Sequence, residues 1–310
     1  MAIIVYVIDL NELIDAIQKA DYRYILGGIS VTFVWLIIRA AAWRTLLRYQ
    51  ASFWDVFLIL CAGYLMNNLL PFRVGELGRV FLISRKGTHD FWQVLPSVVT
   101  ERSLDAALGA GLFLTTLPFV VGVEWATQAA LATITVVVFG LSLLFLMARH
   151  RHWVETKLIW LGQKVPLLGR LMGTRAASFL DGLSILADPK IFLTGLGWII
   201  LNWILGILQF YLYIQAFFPD GKLLWAAFSL GALALGIITP STPGNLGVYE
   251  LALVSALTLF TGNPSQATAL AITIHALQYV LTGLPGAYGL SREGETLTSL
   301  YRTVTRLRHS

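Results

Sequence analysis

Apolar runs of about 20 residues recur along the chain, each long enough to cross ~30 Å of hydrocarbon as a helix. They predict five full spans: Tyr24–Leu47, Phe91–Val121, Ala126–Ala148, Ile191–Phe218 and Ala267–Leu290. Residues 1–23 are too short and too acidic to cross. Within them Ile8, Leu10, Leu13, Ile14 and Ile17 recur at helical spacing, which predicts an amphipathic helix lying in the interface. Residues 153–190 are basic and amphipathic, with Trp153, Leu158 and Leu161 on one face. Pro166 divides them into two predicted cytoplasmic surface helices.

Two further apolar segments are interrupted. Phe53–Leu70 meets a break at 67–76, after which Leu77–Ser84 leads to Arg85 and Lys86. The piece after the break is about 15 Å long as helix, half a membrane, so it predicts a re-entrant hairpin that returns to the side it entered from. Leu223–Ile238 meets a second break at 239–250 and returns through Leu251–Phe260. Both breaks carry Pro-x-x-x-Gly, Pro71 to Gly75 and Pro243 to Gly247, with Glu76 and Glu250 in matching positions. The spans and hairpins of the two halves run in opposite senses. The predicted fold class is an all-α polytopic membrane protein with about five full spans, two re-entrant hairpins in an inverted-repeat arrangement, and amphipathic cytoplasmic helices. Residues 1–310 read as one transmembrane domain: interfacial helix 1–23, first repeat 24–121, connecting span and surface helices 122–190, second repeat 191–290, basic tail 291–310. Interrupted segments at corresponding places in two halves point to a transport site near the midplane.

Composition agrees with this reading. Apolar residues make up 57% and charged residues 13%, against about 25% charged in soluble domains. The net charge of +5 arises mostly in short connections beside apolar segments. Lys19, Arg23 and Lys222 fall on the other side, and Arg39, Arg73, Arg79 and Arg102 fall within the membrane. This bias predicts a plasma (inner) membrane protein with its C-terminus in the cytoplasm. It also gives no basic, aromatic face for nucleic acid. Cys61 is the single cysteine, so no internal disulfide forms. Met1–Ile8 lacks the basic n-region of a cleavable signal. Gly-x-Ser-x-Gly, phosphate-loop and His-Glu-x-x-His motifs are missing, and no cofactor or metal is expected. Without a nucleotide motif, transport would be passive or driven by a gradient.

The chemistry lies in charges placed where charge is costly. An Asp, Glu or Arg at the centre of a span costs roughly 2.5–3.5 kcal/mol, yet Arg73, Glu76, Arg79, Glu101, Arg102 and Asp105 all sit at that depth. Glu101 and Asp105 share a helical face, as do Glu76 and Arg79. Two readings follow: ionic clamps between the hairpin and the third segment, or a site in which Arg73 or Arg79 receives a lipid phosphate. In the second reading the carboxylates meet a cationic head group or a coupling proton. Asn67 and Asn68 would cap the broken helix or touch a ligand. Asn245 and Glu250 are candidate contacts at the second break. Pro71, Gly75, Pro243, Gly244 and Gly247 shape the backbone, and His275 is read as a packed hydrogen-bonder. Arg39 is read as snorkelling to the cytoplasmic interface.

Arg44 and Arg48, the stretch Asn67-Asn68-Leu69-Leu70-Pro71-Phe72-Arg73-Val74-Gly75-Glu76-Leu77-Gly78-Arg79, then Val99-Thr100-Glu101-Arg102-Ser103-Leu104-Asp105, and Thr242-Pro243-Gly244-Asn245-Leu246-Gly247-Val248-Tyr249-Glu250 resemble the lysylphosphatidylglycerol synthase transmembrane region. The resemblance runs over nearly the whole chain. It implies a flippase-like domain of the inner membrane, which in bifunctional synthases moves lysyl-phosphatidylglycerol outward. It marks Asn68, Pro71, Arg73, Gly75, Glu76, Arg79, Glu101, Arg102, Asp105, Pro243, Gly244, Gly247 and Glu250. With no synthase domain after Ser310, aminoacylation is not expected of this chain, and Met1–Ile8 reads as the stub of a further span. The expected function is movement of a charged lipid, such as an aminoacyl-phosphatidylglycerol or a polyprenyl-phosphate-linked lipid. A membrane-embedded transferase using Glu101 or Asp105 as base is one alternative. A non-transporting subunit of a lipid or glycan synthase is the other. Expected partners are membrane lipids, such a synthase, and further copies of the chain.

Overall fold

A computed structural model describes residues 10–86, 90–121, 188–237 and 242–295 continuously, with scattered positions between 128 and 183. Among the described residues the chain is helical, without strands. The helices are α1 (Leu10–Lys19), α2 (Tyr22–Leu46), α3 (Phe53–Leu69), α4 (Val74–Ser84), α5 (Phe91–Val121), α6 (Pro189–Phe217), α7 (Leu223–Gly236), α8 (Val248–Thr261) and α9 (Pro264–Arg292). Short 3-10 turns, Pro71–Arg73 and Pro243–Asn245, separate α3 from α4 and α7 from α8. The predicted span Ala126–Ala148, the surface helices of 153–190, residues 1–9 and the tail beyond 295 lie outside the continuously described residues.

Among the described residues five stretches are long and apolar enough to cross a membrane: Tyr22–Leu46, Phe91–Val120, Pro189–Phe217, Pro243–Thr261 and Pro264–Arg292. Four correspond to predicted spans. The fifth joins the second break to the arm after it, which the hydrophobic pattern separates. Helix starts follow local chemistry. Asp21 accepts from Arg23 N–H at 2.9 Å, Ser52 from Asp55 N–H at 3.1 Å, and Asp188 from Lys190 N–H at 3.0 Å. Asn263 accepts from Gln266 N–H at 3.0 Å. Pro189 and Pro264 occupy the first helical positions, where no N–H is needed.

The short helices form two hairpins. α3 and α4 share an open end, where Lys86 lies 3.6 Å from Asp55. The last turn of α9 meets them there through Lys86–Glu293 at 2.8 Å and Arg292–Asp55 at 3.7 Å. α7 and α8 also share an open end, where Trp225 stacks on Phe260 with ring centres 5.2 Å apart. That end lies with the start of α9: Phe218 meets Trp225, and Gln266 Nε2 donates to the neighbouring Phe217 carbonyl at 2.5 Å. α9 has 29 residues, about 43 Å of helix. The two hairpins therefore open at opposite ends of it.

The helix contacts fall into matched pairs. α2 lies along α6; α3 packs on α9 as α7 packs on α5. α4 meets α5 as α8 meets α9, and the two 3-10 turns touch each other. Small residues allow the close crossings. A Cβ on Gly286 would stand 2.4 Å from the Cys61 carbonyl, and one on Gly289 2.6 Å from that of Leu58. On the other crossing, a Cβ on Gly109 would stand 2.8 Å from Ala234, and one on Gly231 2.7 Å from the backbone of Phe113.

Gly286→Leu forces α9 off the α3 backbone and is expected to destabilise the protein by at least about 1–3 kcal/mol. Gly111→Leu, at a position with open space around the added carbon inside α5, is expected not to destabilise the protein, since it removes an interior helical glycine. Thermal unfolding of the two variants in one detergent compares them; equal melting temperatures would contradict the crossing.

Candidate functional site

The first break forms because Pro71 has no N–H to continue α3 and holds Leu70 extended, at φ −112 and ψ 145. Phe72 and Arg73 then both adopt left-handed backbone, φ 62 and 53. Two successive non-glycine residues in that region store of order 1–3 kcal/mol each. Asn67 closes the turn by accepting from Gly75 N–H at 2.8 Å, and a Cβ on Gly75 would strike the Gly63 carbonyl at 2.0 Å. Asn68 reaches across to α9, donating to Thr282 Oγ1 at 3.3 Å. Each asparagine thus bonds the chain itself through one side-chain atom.

Just past this break α4 faces α5 and α2 across a buried ionic cluster. Glu101 is 0% exposed, and Arg39 and Arg79 are each 2% exposed. Glu101 lies at the centre. Its Oε1 accepts from Arg39 Nη2 and from Arg102 Nη2, the latter at 2.6 Å, while Oε2 accepts from Arg79 Nη1 at 3.1 Å. Arg39 also engages Asp105 with both terminal nitrogens, Nη1 to Oδ1 at 2.8 Å and Nη2 to Oδ2. Arg79 Nη2 lies 2.8 Å from Glu76, and Arg102 lies 3.6 Å from Glu76 and 3.3 Å from Asp105. α6 adds Trp203 Nε1, donating to Asp105 at 3.2 Å, and Asn202, whose Oδ1 is 3.4 Å from Arg39. The Arg79 guanidinium lies over the Trp43 ring at 4.6 Å. Exposure grows outward, to 28% for the Arg102 side chain, so the cluster opens on the side of Arg102, Glu76 and Asp105.

Arg39 corrects the sequence reading. It does not snorkel to an interface; it is buried and binds two carboxylates. Arg44 follows it by five residues on the same helix, which places Arg39 about 7 Å farther from the basic end of α2. That spacing was the available signal. Asn202, Trp203 and Trp43 were also unmarked, and only the fold brings them here.

Arg73 differs from the other arginines. It interacts electrostatically with Arg102 and Glu76 but takes part in none of the ion pairs of the cluster. Its Nε, like those of Arg39, Arg79 and Arg102, is buried without a hydrogen-bond acceptor among the described residues. Four arginines therefore stand with three carboxylates.

At the second break, Gly244 and Gly247 adopt φ 61 and 87, conformations that glycine holds without strain. A Cβ on Gly244 would collide with the Tyr279 hydroxyl at 1.4 Å and the Asn68 carbonyl at 2.9 Å, so the two breaks are in direct contact. Asn245 is also left-handed, φ 57. Glu250 caps α8 by accepting from Gly247 N–H at 2.7 Å and meets His275 Nδ1 at 2.6 Å. His275 Nε2 lies 3.0 Å from the Gly244 carbonyl, the hydrogen-bonding role read for this residue. The structure thus unites Glu76, Arg79, Glu101, Arg102 and Asp105 with Arg39, sets Arg73 beside them, and keeps Asn245 and Glu250 at the other break. Among the described residues no group of three His, Cys, Asp or Glu side chains is placed to hold a metal ion. A cavity of about 280 Å³ between α1, the end of α6 and the start of α9 includes none of the cluster residues.

Residues 1–286 match the family described as Lysylphosphatidylglycerol synthase TM region. The chain is also similar to a UPF0104 membrane protein of Methanothermobacter thermautotrophicus, 23% identical over 96% of this chain and 94% of the relative. A second relative is the UPF0104 membrane protein MJ1595 of Methanocaldococcus jannaschii, 22% identical over 92% of this chain and 89% of its own length. No solved structure shows a significant match. With nearly all of its length matched, and helices apolar enough to cross a bilayer several times, this multi-pass membrane protein belongs to the lysylphosphatidylglycerol synthase transmembrane-region family.

Proposed function

We propose that the protein moves a charged lipid between leaflets and that Arg73 receives the lipid's phosphate. One observation carries this reading: a buried cluster of four arginines and three carboxylates in which Arg73 alone is left out of the ion pairs. Arg73 is half-buried, with its Nε enclosed and without an acceptor among the described residues; holding that nitrogen unpaired is costly, and an anion seated there would balance the charge. A phosphate can also accept from the Arg73 Nε and bind its guanidinium through two oxygens. The phosphate is common to aminoacyl-phosphatidylglycerol and polyprenyl-phosphate lipids. A lysyl head group finds less support, since every carboxylate of the cluster is already held by guanidinium groups.

Under this reading the two hairpins are re-entrant, the halves form an inverted repeat, and the touching breaks mark the midplane. Support comes from hairpins that open at opposite ends of α9 and from the matched pairs of helix contacts. The C-terminus is cytoplasmic in the plasma membrane, in keeping with the basic residues around Arg85, Lys86 and Arg292. Nothing here favours a transferase using Glu101 or Asp105 as base, because their lone pairs are committed to arginine donors.

The test is translocation in liposomes of fluorescent lipids that an added reagent quenches in the outer leaflet only. Wild-type protein is expected to move an anionic phospholipid or polyprenyl phosphate faster than protein-free liposomes do. Arg73→Ala should lose about ten- to a hundredfold of that rate, the effect of losing a hydrogen bond to a charged group. Translocation no faster than without protein, for every charged lipid tried, would sink the reading. Glu101→Ala examines folding instead: it leaves three arginines without their shared anion and is expected to cost about 3–5 kcal/mol. Arg73→Ala removes an unpaired charge and should unfold no earlier than wild type. Thermal melts of the two purified variants check this contrast.

A further inference from the structure

The second break carries a titratable pair that phosphate binding does not use. His275 is buried at 5% exposure, and each ring nitrogen faces an oxygen. Nε2 lies 3.0 Å from the Gly244 carbonyl, which can only accept, so Nε2 carries a hydrogen. Nδ1 lies 2.6 Å from Glu250 Oε1, a contact that needs one more proton, borne by either partner. The other carboxylate oxygen is occupied by Gly247 N–H at 2.7 Å. Whether written as imidazolium with carboxylate or as imidazole with carboxylic acid, the pair holds that extra proton and is neutral overall.

Removing the proton to water leaves one negative charge on a buried pair and sets two lone pairs against each other. No cation compensates: among the described residues Glu250 forms no ion pair with Lys or Arg. The titratable groups facing the pair are tyrosines. Tyr249 of α8 stacks on the His275 ring at 3.9 Å. Tyr279, one turn along α9, meets it edge-on at 4.9 Å. Tyr213 of α6 lies near Tyr249. The hydroxyls of Tyr249 and Tyr279 are buried without hydrogen-bond partners, so either can turn toward a group that loses its own partner. From α3, the break is met by the neutral Asn68.

The consequence reaches the first break through contact. Gly244, held by His275, is wedged between Tyr279 and the Asn68 carbonyl, and Asn68 ends the helix that leads to Arg73. We infer that Glu250 and His275 form a proton-binding site that latches the paired breaks: loaded, it holds α8 and the second break against α9; unloaded, it releases them. Proton movement is thereby coupled to access at the Arg73 site, an inference that rests on the lipid-transport reading for its purpose but not for its chemistry.

Hydrogen exchange of the full-length protein in nanodiscs, followed from acid to alkaline pH, tests the latch directly. After correction for intrinsic rates, amides of residues 244–251 in wild type should open more at alkaline pH by roughly ten- to a hundredfold, the shift produced by losing one charge-assisted hydrogen bond. Glu250→Gln, whose amide keeps a hydrogen bond to His275 without the shared proton, should remove that pH dependence. A wild-type profile that is flat after correction, or a Glu250→Gln profile that follows wild type, overturns the latch whether or not the protein moves lipid. Coupling is read separately, in liposomes with an imposed pH gradient. Anionic-lipid translocation should change with the gradient in wild type. A gradient-independent rate with an intact latch overturns the coupling, and no translocation at all overturns the transport reading while exchange still decides the latch.

Discussion

Charge that cannot reach water must find charge inside the protein, and this requirement organises the helices around Glu101. The fully buried carboxylate accepts from arginines on α2, α4 and α5, and Asp105 extends the cluster to α6 through Trp203. Removing one partner would leave the others uncompensated at a cost of several kcal/mol, whereas replacing a whole buried cluster with apolar residues is often neutral or stabilising. Helix packing alone therefore does not require these residues. The small-residue crossings at Gly286, Gly289, Gly109 and Gly231 already hold the helices together with no charge involved.

The breaks obey the same requirement for backbone groups. Irregular chain at membrane depth survives only if its polar atoms are satisfied internally. At the first break Asn67 takes the Gly75 N–H; at the second, Glu250 takes that of Gly247 and His275 takes the Gly244 carbonyl. The two breaks then diverge in chemistry. Beyond the first lies a cluster with a surplus arginine; at the second lies a neutral pair that shares a proton. Two similar backbone devices thus sit beside different chemistry, and they touch each other.

Much of this was legible from hydropathy and spacing. The long helices follow apolar runs of spanning length, and the breaks follow Pro71 and Pro243 with their glycines. The i, i+3 pairing of Glu76 with Arg79 is a consequence of helix geometry alone. What escaped depends on contacts between elements far apart in sequence. Arg39 meets Glu101 and Asp105 across more than sixty residues, and no local pattern records such a pairing. The second break and α8 together reach spanning length, because length counts residues through a turn that the hydrophobic pattern treats as an end. Asn67 was read as a cap or a ligand contact and Glu250 as a ligand contact; both side chains accept from backbone N–H groups, those of Gly75 and Gly247.

The placement of Arg39 changes the charge argument. Without it, Arg73, Arg79 and Arg102 balance Glu76, Glu101 and Asp105, and a set of closed ionic clamps explains every charge. With it, one cation is surplus, and local geometry singles out Arg73: left-handed backbone, a buried Nε without an acceptor, and no ion pair. Under the proposed function, clamp and receptor then cease to be rival descriptions. Arg39 and Arg79 hold the carboxylates in place, and that leaves Arg73, at a strained turn between two helix ends, as the cluster arginine that forms no ion pair among the described residues.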